Sequence, residues 1–392
     1  MKLFGRGGRP SGRKAYEKLP LAERVLTFYA EDGGSWPHFA PIVDALLARG
    51  ERICYLTSSD TDPVLELERP GLSAFAIGEG VGRAFLFQTM ETGVVVATVP
   101  QLGISVLPRS RHAQALGTQY VYVFHSMAST HMIYEPDGFD HYDTVLCVGP
   151  YMHDEIRARE ASAGLPAKEL LDHGYGRLDT IRTQVAALER TPTDATSPTV
   201  LVAPSWGPTC IFETVGVPLV QALLDAGCGV IARPHPMTAK RTPRAIADLE
   251  AAFGAHPDVT IDRDIAATES LRLADLMVSD WSGAALEYAF GFERPVLFID
   301  VDRKVNNPDY EALGITPFEV AVRDQVGGVI APDALDAIGP AVHRLIAEAD
   351  SWPERLAAIR DANIANVGRS GAVAAEIIAE KTGAFRAKQG LR

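Results

Sequence analysis

Short apolar runs rich in β-branched and aromatic residues alternate with helix-patterned segments along most of the chain, and this alternation limits the fold more than any other feature. Arg24–Tyr29 (RVLTFY) reads as a strand, followed by the glycine-containing loop 31–35, a helical pattern over Phe39–Leu47 closed by Gly50, and a second strand at Arg52–Thr57. Such a strand–loop–helix–strand unit opens a parallel α/β sheet. Further strands are expected at Ser73–Ile77, Val94–Thr98, Tyr120–Phe124 and Thr144–Val148, with helices over Tyr151–Glu160 and Thr180–Leu188. The polar stretch Arg190–Pro198 has two prolines and no apolar period, so it reads as a linker. The alternation then restarts. Strands are expected at Val200–Ala203, Gly229–Ala232, Val259–Ile261, Leu276–Ser279 and Pro295–Ile299. Helices are expected at Glu213–Ala226, Pro243–Phe253 and Gly283–Phe290, with a short one near Thr268–Ala274. Three helical patterns, Pro332–Glu348, Pro353–Ala365 and Gly371–Thr382, close the chain.

The expected fold class is α/β, with two Rossmann-like doubly wound domains facing a cleft. The division would be a basic leader over 1–20, an N-terminal domain over 21–190, a second domain over 199–330 and C-terminal helices over 331–392. Ligands of such sheets lie at the carboxyl ends of the strands, which makes a cleft between the domains the default site.

Charge and cysteine content exclude other classes. The 392 residues carry a formal net charge of −13, which argues against a nucleic-acid binder. No apolar run approaches the ~18 residues that span a bilayer, and no signal-peptide core stands near the N-terminus. Cys54, Cys147, Cys210 and Cys228 are widely spaced in apolar surroundings, as buried thiols in a reducing cytoplasm would be. Residues 1–18 carry Lys2, Arg6, Arg9, Arg13, Lys14 and Lys18 against Glu17 alone. This basic stretch either contacts an anionic membrane surface at the cytoplasmic face or is simply a solvated leader.

Five places carry candidate chemistry. Ser279-Asp280-Trp281-Ser282-Gly283 ends an apolar strand and opens a helix, whose free N–H groups and positive dipole end suit a phosphate. Ser282 can supply a hydroxyl and Gly283 a close backbone approach, or the serine is only an N-cap. In Arg233-Pro234-His235-Pro236 two prolines fix an imidazole at a strand end, where it can donate to a phosphate. His125 ends the run Tyr120–Phe124 and suits a general base near neutral pH, with His131 and His141 weaker candidates in the loop that follows. Arg177, in the turn His173–Asp179, meets a phosphate or pairs with Asp179. Trp206 stacks on a ligand or packs a wall. The dinucleotide and P-loop signatures are missing, as are HExxH, GxSxG and clustered metal-ligand spacing, so neither a metal nor a cofactor is expected.

Taken in order, these pieces resemble the CDP-glycerol glycerophosphotransferases, the polymerases and primases of teichoic acid synthesis. The series is His125 after its strand, Gly174-Tyr175-x-Arg177-x-Asp179, Val200–Trp206, Arg233–Pro236 and Ala274–Phe298. It spans about residues 120–320. Ser126, Gly176, Gly207 and Gly283 stand where the family usually has glycine, proline, arginine and a second serine. The resemblance implies a GT-B-like fold and transfer of glycerol phosphate, or a related polyol phosphate, from a CDP-activated donor. The acceptor would be a hydroxyl of an envelope glycan or lipid-linked molecule, and CMP would leave. His125 would be the base on that hydroxyl. His235 would stabilise the donor diphosphate, with Ser282 and its helix start, Arg233, Ser279, Asp280, Gly283 and Arg177 around the donor. The alternatives are a GT-B nucleotide-sugar glycosyltransferase or a UDP-sugar 2-epimerase-like enzyme. A non-enzymatic binding scaffold is the third reading.

Overall fold

The computed structural model describes residues 12–104, 107–187, 197–263 and 269–391. The first eleven residues of the basic leader and most of the linker lie outside the described residues. The chain divides into two compact units. Unit 1 comprises the described residues through His125, then Tyr134–Arg177 and the chain from Ile364; unit 2 comprises Ser126–Ile133 and Leu178–Asn363.

Unit 1 is built on seven parallel strands: β1 (Leu26–Ala30), β2 (Ile53–Thr57), β3 (Leu72–Ala76), β4 (Val94–Ala97), β5 (Gln119–Val123), β6 (Thr144–Cys147) and β7 (Glu169–Asp172). Their order is β3-β2-β1-β4-β5-β6-β7. The central strands are buried along their whole length, which is why they read as unbroken apolar runs and not as alternating ones. The helix Trp36–Ala48 lays Phe39, Ile42, Val43 and Leu46 on the sheet, an i, i+3, i+4, i+7 stripe. Against it packs the C-terminal helix Ser370–Gln389 through Ala374, Ala375 and Ile378. Gly371 sits so close to the Pro41 carbonyl that a Cβ there would lie 2.6 Å from its oxygen.

Unit 2 repeats the plan with six parallel strands: β8 (Thr199–Val202), β9 (Gly229–Ala232), β10 (Val259–Ile261), β11 (Leu276–Ser279), β12 (Val296–Ile299) and β13 (Gly327–Ile330), ordered β10-β9-β8-β11-β12-β13. In both sheets the chain starts in the middle, winds to one edge, then returns to fill the other side. The order reverses at β1/β4 in unit 1 and at β8/β11 in unit 2. Two doubly wound, all-parallel sheets make the fold α/β and GT-B-like, as expected.

The division of the chain differs from the sequence reading at both ends. Residues 12–17, assigned to the leader, form a helix in which Tyr16 is buried and its hydroxyl meets Thr27 Oγ1 at 3.0 Å. The closing helices do not stand together: Ile338–Ala347 and Trp352–Asn363 belong to unit 2 and Ser370–Gln389 to unit 1. The first of them begins after Pro332, which lies outside it. No described helix is long and apolar enough to cross a membrane.

Candidate functional site

In unit 2 the candidate residues gather at the carboxyl ends of β8, β9 and β11, beside the reversal point, where open α/β sheets hold ligands. His235 caps the short helix Pro236–Arg241: its Nδ1 accepts the Met237 N–H at 3.1 Å. An accepting Nδ1 is unprotonated, so in the neutral ring Nε2 carries the hydrogen. Burial, and then the charge of Lys304, lower the His235 pKa to about 4. At neutral pH His235 is therefore an uncharged imidazole that presents one N–H donor in a fixed direction.

Two cations accompany it. Lys304 Nζ lies 4.4 Å and the Arg241 guanidinium 5.4 Å from the Trp206 ring centre, and the Trp206 and His235 rings are 6.3 Å apart. Burial lowers the Lys304 pKa, the mark of an ammonium partly withdrawn from water. Lys304 sits in the loop after β12. The run Arg303-Lys304 was the only sequence signal for it.

Ser282 is the N-cap of the helix Gly283–Phe292, and its Oγ accepts the Ala284 N–H at 3.3 Å. That leaves its hydroxyl hydrogen available as a donor beside a helix start. Gly283 permits a close approach, though the neighbour that uses it is Ser126, whose Oγ would lie 3.0 Å from a Cβ at 283.

Three of the expected donor-binding residues brace the site from behind. Ser279 is fully buried and its hydroxyl donates to the Ala203 carbonyl at 2.8 Å, tying β11 to the end of β8. The buried Asp280 carboxylate accepts the N–H groups of Ser205 at 2.7 Å and Ile211 at 3.1 Å, fixing the loop that carries Trp206. Desolvation raises its pKa and these backbone bonds oppose the rise. Arg233 is buried, with Nη1 on Ser270 Oγ at 2.9 Å and Nε 4.0 Å from Asp262. These side chains shape the loops that carry His235 and Trp206.

In unit 1, His125 follows β5 as the pattern implied. Its Nδ1 lies 3.1 Å from the Thr98 carbonyl oxygen at the end of β4. A carbonyl only accepts, so Nδ1 carries the proton and Nε2 is the basic nitrogen. Solvent reaches the residue, yet protein crowds the ring enough for desolvation to lower its pKa. A neutral imidazole with an oriented, unprotonated Nε2 can accept a proton from a hydroxyl. Tyr175 supports it from the backbone side: its hydroxyl donates to the His125 carbonyl at 3.1 Å, and its N–H donates to Ser370 Oγ at 3.0 Å. Gly174 turns this corner at φ +92°, where a Cβ would stand 2.2 Å from the Ala365 carbonyl oxygen.

His38, on the helix after Gly33-Gly34, was not anticipated. Its ring centre is 6.2 Å from that of His125, and its Nδ1 is buried without a hydrogen-bond partner among the described residues. Burial, the neighbouring His125 and the charge of Arg177 hold its pKa well below the usual value. Arg177 thus acts on His38. Of the weaker candidates, His131 is buried with Nε2 3.0 Å from the Ile315 carbonyl oxygen. Among the described residues Cys147, His153 and Asp172 have ligand atoms within 4.8 Å of one another, close enough to hold a metal. Two of these groups already satisfy each other, His153 Nε2 and Asp172 Oδ1 at 2.8 Å, and burial pushes the Cys147 thiol pKa up.

The architecture defines a class: a GT-B-like chain of two Rossmann-like domains. No family model and no curated protein sequence matches it. Among solved structures it is similar to UDP-GlcNAc 2-epimerase from Methanocaldococcus jannaschii in complex with UDP-GlcNAc and UDP (TM-score 0.58, 13% identity, covering 91% of this chain and 99% of that one). It is also similar to MnaA of S. aureus with UDP (TM-score 0.56, 12% identity, 88% and 93%). A Neisseria meningitidis UDP-GlcNAc 2-epimerase bound to UDP-GlcNAc gives a TM-score of 0.54 at 12% identity over 91% and 99%.

Proposed function

We propose that the chain is an enzyme acting on a nucleoside-diphosphate-activated donor, with unit 2 holding the diphosphate and His125 of unit 1 moving a proton. The observation that carries this reading is the set of His235 Nε2–H, Lys304 and the Ser282-capped helix start at the reversal point of the unit 2 sheet. A neutral N–H, a nearby ammonium and a helix start are complementary to a diphosphate. A nucleotide sugar is the leading donor. The likeness of the fold to epimerases solved with UDP-GlcNAc supports it. The chemistry is then glycosyl transfer or rearrangement of the sugar. In transfer, an acceptor oxygen attacks the anomeric carbon, the bond from that carbon to the diphosphate oxygen breaks, and His125 takes the hydroxyl proton.

The second reading is transfer of glycerol phosphate, or a related polyol phosphate, from a CDP-activated donor. It rests on the ordered series from His125 through Ala274–Phe298. There the acceptor oxygen attacks the β-phosphorus and CMP leaves. In either transfer reading the acceptor is a hydroxyl on an envelope glycan or lipid-linked molecule. The four cysteines are all free and buried, which suits a reducing cytoplasmic compartment. The basic N-terminal stretch would bring the enzyme to the anionic inner face of the membrane.

The test is to incubate the protein with UDP-sugars, CDP-glycerol and CDP-ribitol and identify the products. Release of a nucleoside diphosphate means attack at carbon, CMP means attack at phosphorus, and a new sugar isomer with an intact nucleotide means epimerisation. Absence of binding to every one of these donors refutes the proposal.

A further inference from the structure

Arg323 is 5% exposed and follows the short helix Phe318–Val322 in unit 2. Its guanidinium lies over the Trp281 ring at 3.8 Å and over Phe298 at 4.8 Å. Nη1 donates to Asp300 Oδ1 at 2.7 Å. Trp281 is itself fixed by its Nε1–H on the Val301 carbonyl at 2.9 Å. Two rings and one carboxylate thus hold the guanidinium, and what remains is its side-on edge. Nε and Nη2 are buried and have no hydrogen-bond partner among the described residues. These two nitrogens form the fork that meets both oxygens of a carboxylate or phosphate.

Arg323 borders a recess shared with Ser282, Gly283 and Ala128, which places the start of the helix Gly283–Phe292 on the same cavity. Two carboxylates also line it, and both are occupied. Asp280 accepts the two backbone N–H groups described above. Glu319 accepts the Ser129 N–H at 2.7 Å and the Ser129 hydroxyl at 2.9 Å. A buried guanidinium with two donors unused is costly, because the N–H groups have given up water for nothing. Burial correspondingly lowers the Arg323 pKa.

From this geometry we infer that the recess between Arg323 and the Gly283–Phe292 helix start is an oxoanion site, in which Nε and Nη2 grip two oxygens of a phosphoryl or carboxylate group. The inference deepens the donor reading and rests on it for the source of the anion. That source is the β-phosphoryl of the donor, or an acidic group on the moiety that the enzyme moves. Neither the sequence pattern nor the resemblance pointed to Arg323.

Arg323→Lys keeps the charge and removes the fork. Ala128→Val leaves the fork and narrows the recess that Ala128 also lines. Calorimetry would use inorganic pyrophosphate, UDP, UMP, CDP, CMP, UDP-glucose and UDP-glucuronate as probes, with thermal melts as controls. Both variants are expected to bind pyrophosphate about tenfold or more weakly than wild type, the scale of a lost charged hydrogen bond. If UDP and CDP weaken equally and UMP and CMP do not, the site takes the β-phosphoryl. If only the preference for UDP-glucuronate over UDP-glucose collapses, it takes an acid on the moved group. If Arg323→Lys does not fold, Ala128→Val decides. Wild-type affinity for every probe in the folded variants overturns the inference. Wild-type protein that binds pyrophosphate through Arg323 but none of the nucleotides refutes the donor reading and leaves the oxoanion site standing.

Discussion

His235 has two separable duties, and substitution can remove one without the other. Its Nδ1 caps a helix by accepting the Met237 N–H, and its Nε2–H is the proposed diphosphate donor. His235→Asn keeps a good capping acceptor, since asparagine is among the best N-cap residues, but its short amide falls short of where Nε2 reaches. His235→Ala removes both. Loss of a side-chain cap costs about 0.5–2 kcal/mol of stability. Loss of a hydrogen bond to a charged phosphate costs about 1.5–3 kcal/mol of binding, or roughly 10–100-fold in affinity. The alanine variant should therefore melt lower and bind UDP or CDP more weakly, whereas the asparagine variant should melt near wild type and still bind weakly. Calorimetry with both nucleotides, alongside urea or thermal melts, separates the two columns. Wild-type affinity in a folded His235→Asn variant would show that the imidazole serves the helix alone. The reasoning about a fixed Nε2 donor would then be wrong.

Three further outcomes are expected. His125→Gln should lower turnover by roughly 10²–10⁴-fold with little change in donor affinity, measured by steady-state rates beside calorimetry; unchanged turnover would remove the base assignment. His173 is buried with Nδ1 3.1 Å from the Cys147 carbonyl oxygen, and burial lowers its pKa from 6.5 to about 4. Its folded value lies below its unfolded one, so the stability it contributes is complete above pH ~6.5 and is lost as pH falls toward 4, up to about 3 kcal/mol. His173→Asn can donate the same bond but does not titrate, so urea melts of that variant should depend less on pH across this window. Removing residues 1–18 should destabilise unit 1, because it deletes the buried Tyr16, and truncating a buried aromatic costs about 3–5 kcal/mol. Removing residues 1–11 tests vesicle binding alone, and equal co-sedimentation with anionic vesicles at low salt would identify them as a solvated leader.

The parallel sheets were readable because strands buried on both faces must be apolar throughout, and β2, β9 and β11 stand within a residue of where the apolar runs put them. Two strands escaped notice for physical reasons. β7 (ELLD) is an edge strand with charged ends. β13 (GGVI) opens with glycines that resemble a loop, yet a Cβ on Gly327 would stand 1.9 Å from the Val296 carbonyl oxygen, so the strand pairing itself demands glycine. The helix expected over Glu213–Ala226 is broken at Val215–Gly216, with Ile211–Thr214 forming a separate turn. At the candidate site, polar residues at strand ends marked His125 and His235 correctly as strand-end groups. The pattern could not separate side chains that face a ligand from those that brace a loop, because both are polar and both follow strands. Ser279, Asp280 and Arg233 belong to the second kind. Lys304, His38 and Arg323 left little trace, since what distinguishes them is a partner or a missing partner far away in the chain.

The seam between the helices Trp36–Ala48 and Ser370–Gln389 has a bearing on how the protein is made. A ribosome releases Phe39, Ile42 and the rest of the first helix early, but Ala374, Ala375 and Ile378, which cover them, emerge only after all of unit 2. During the intervening interval the nascent unit 1 carries an uncovered apolar face, and the Gly174–Tyr175 corner lacks its anchor on Ser370. Unit 2, although encoded later, has most of its chain in one stretch and can close first. Maturation of the His125 region thus waits on the helix Ser370–Gln389, and a stop within that helix would leave unit 2 whole beside an unfinished, aggregation-prone unit 1.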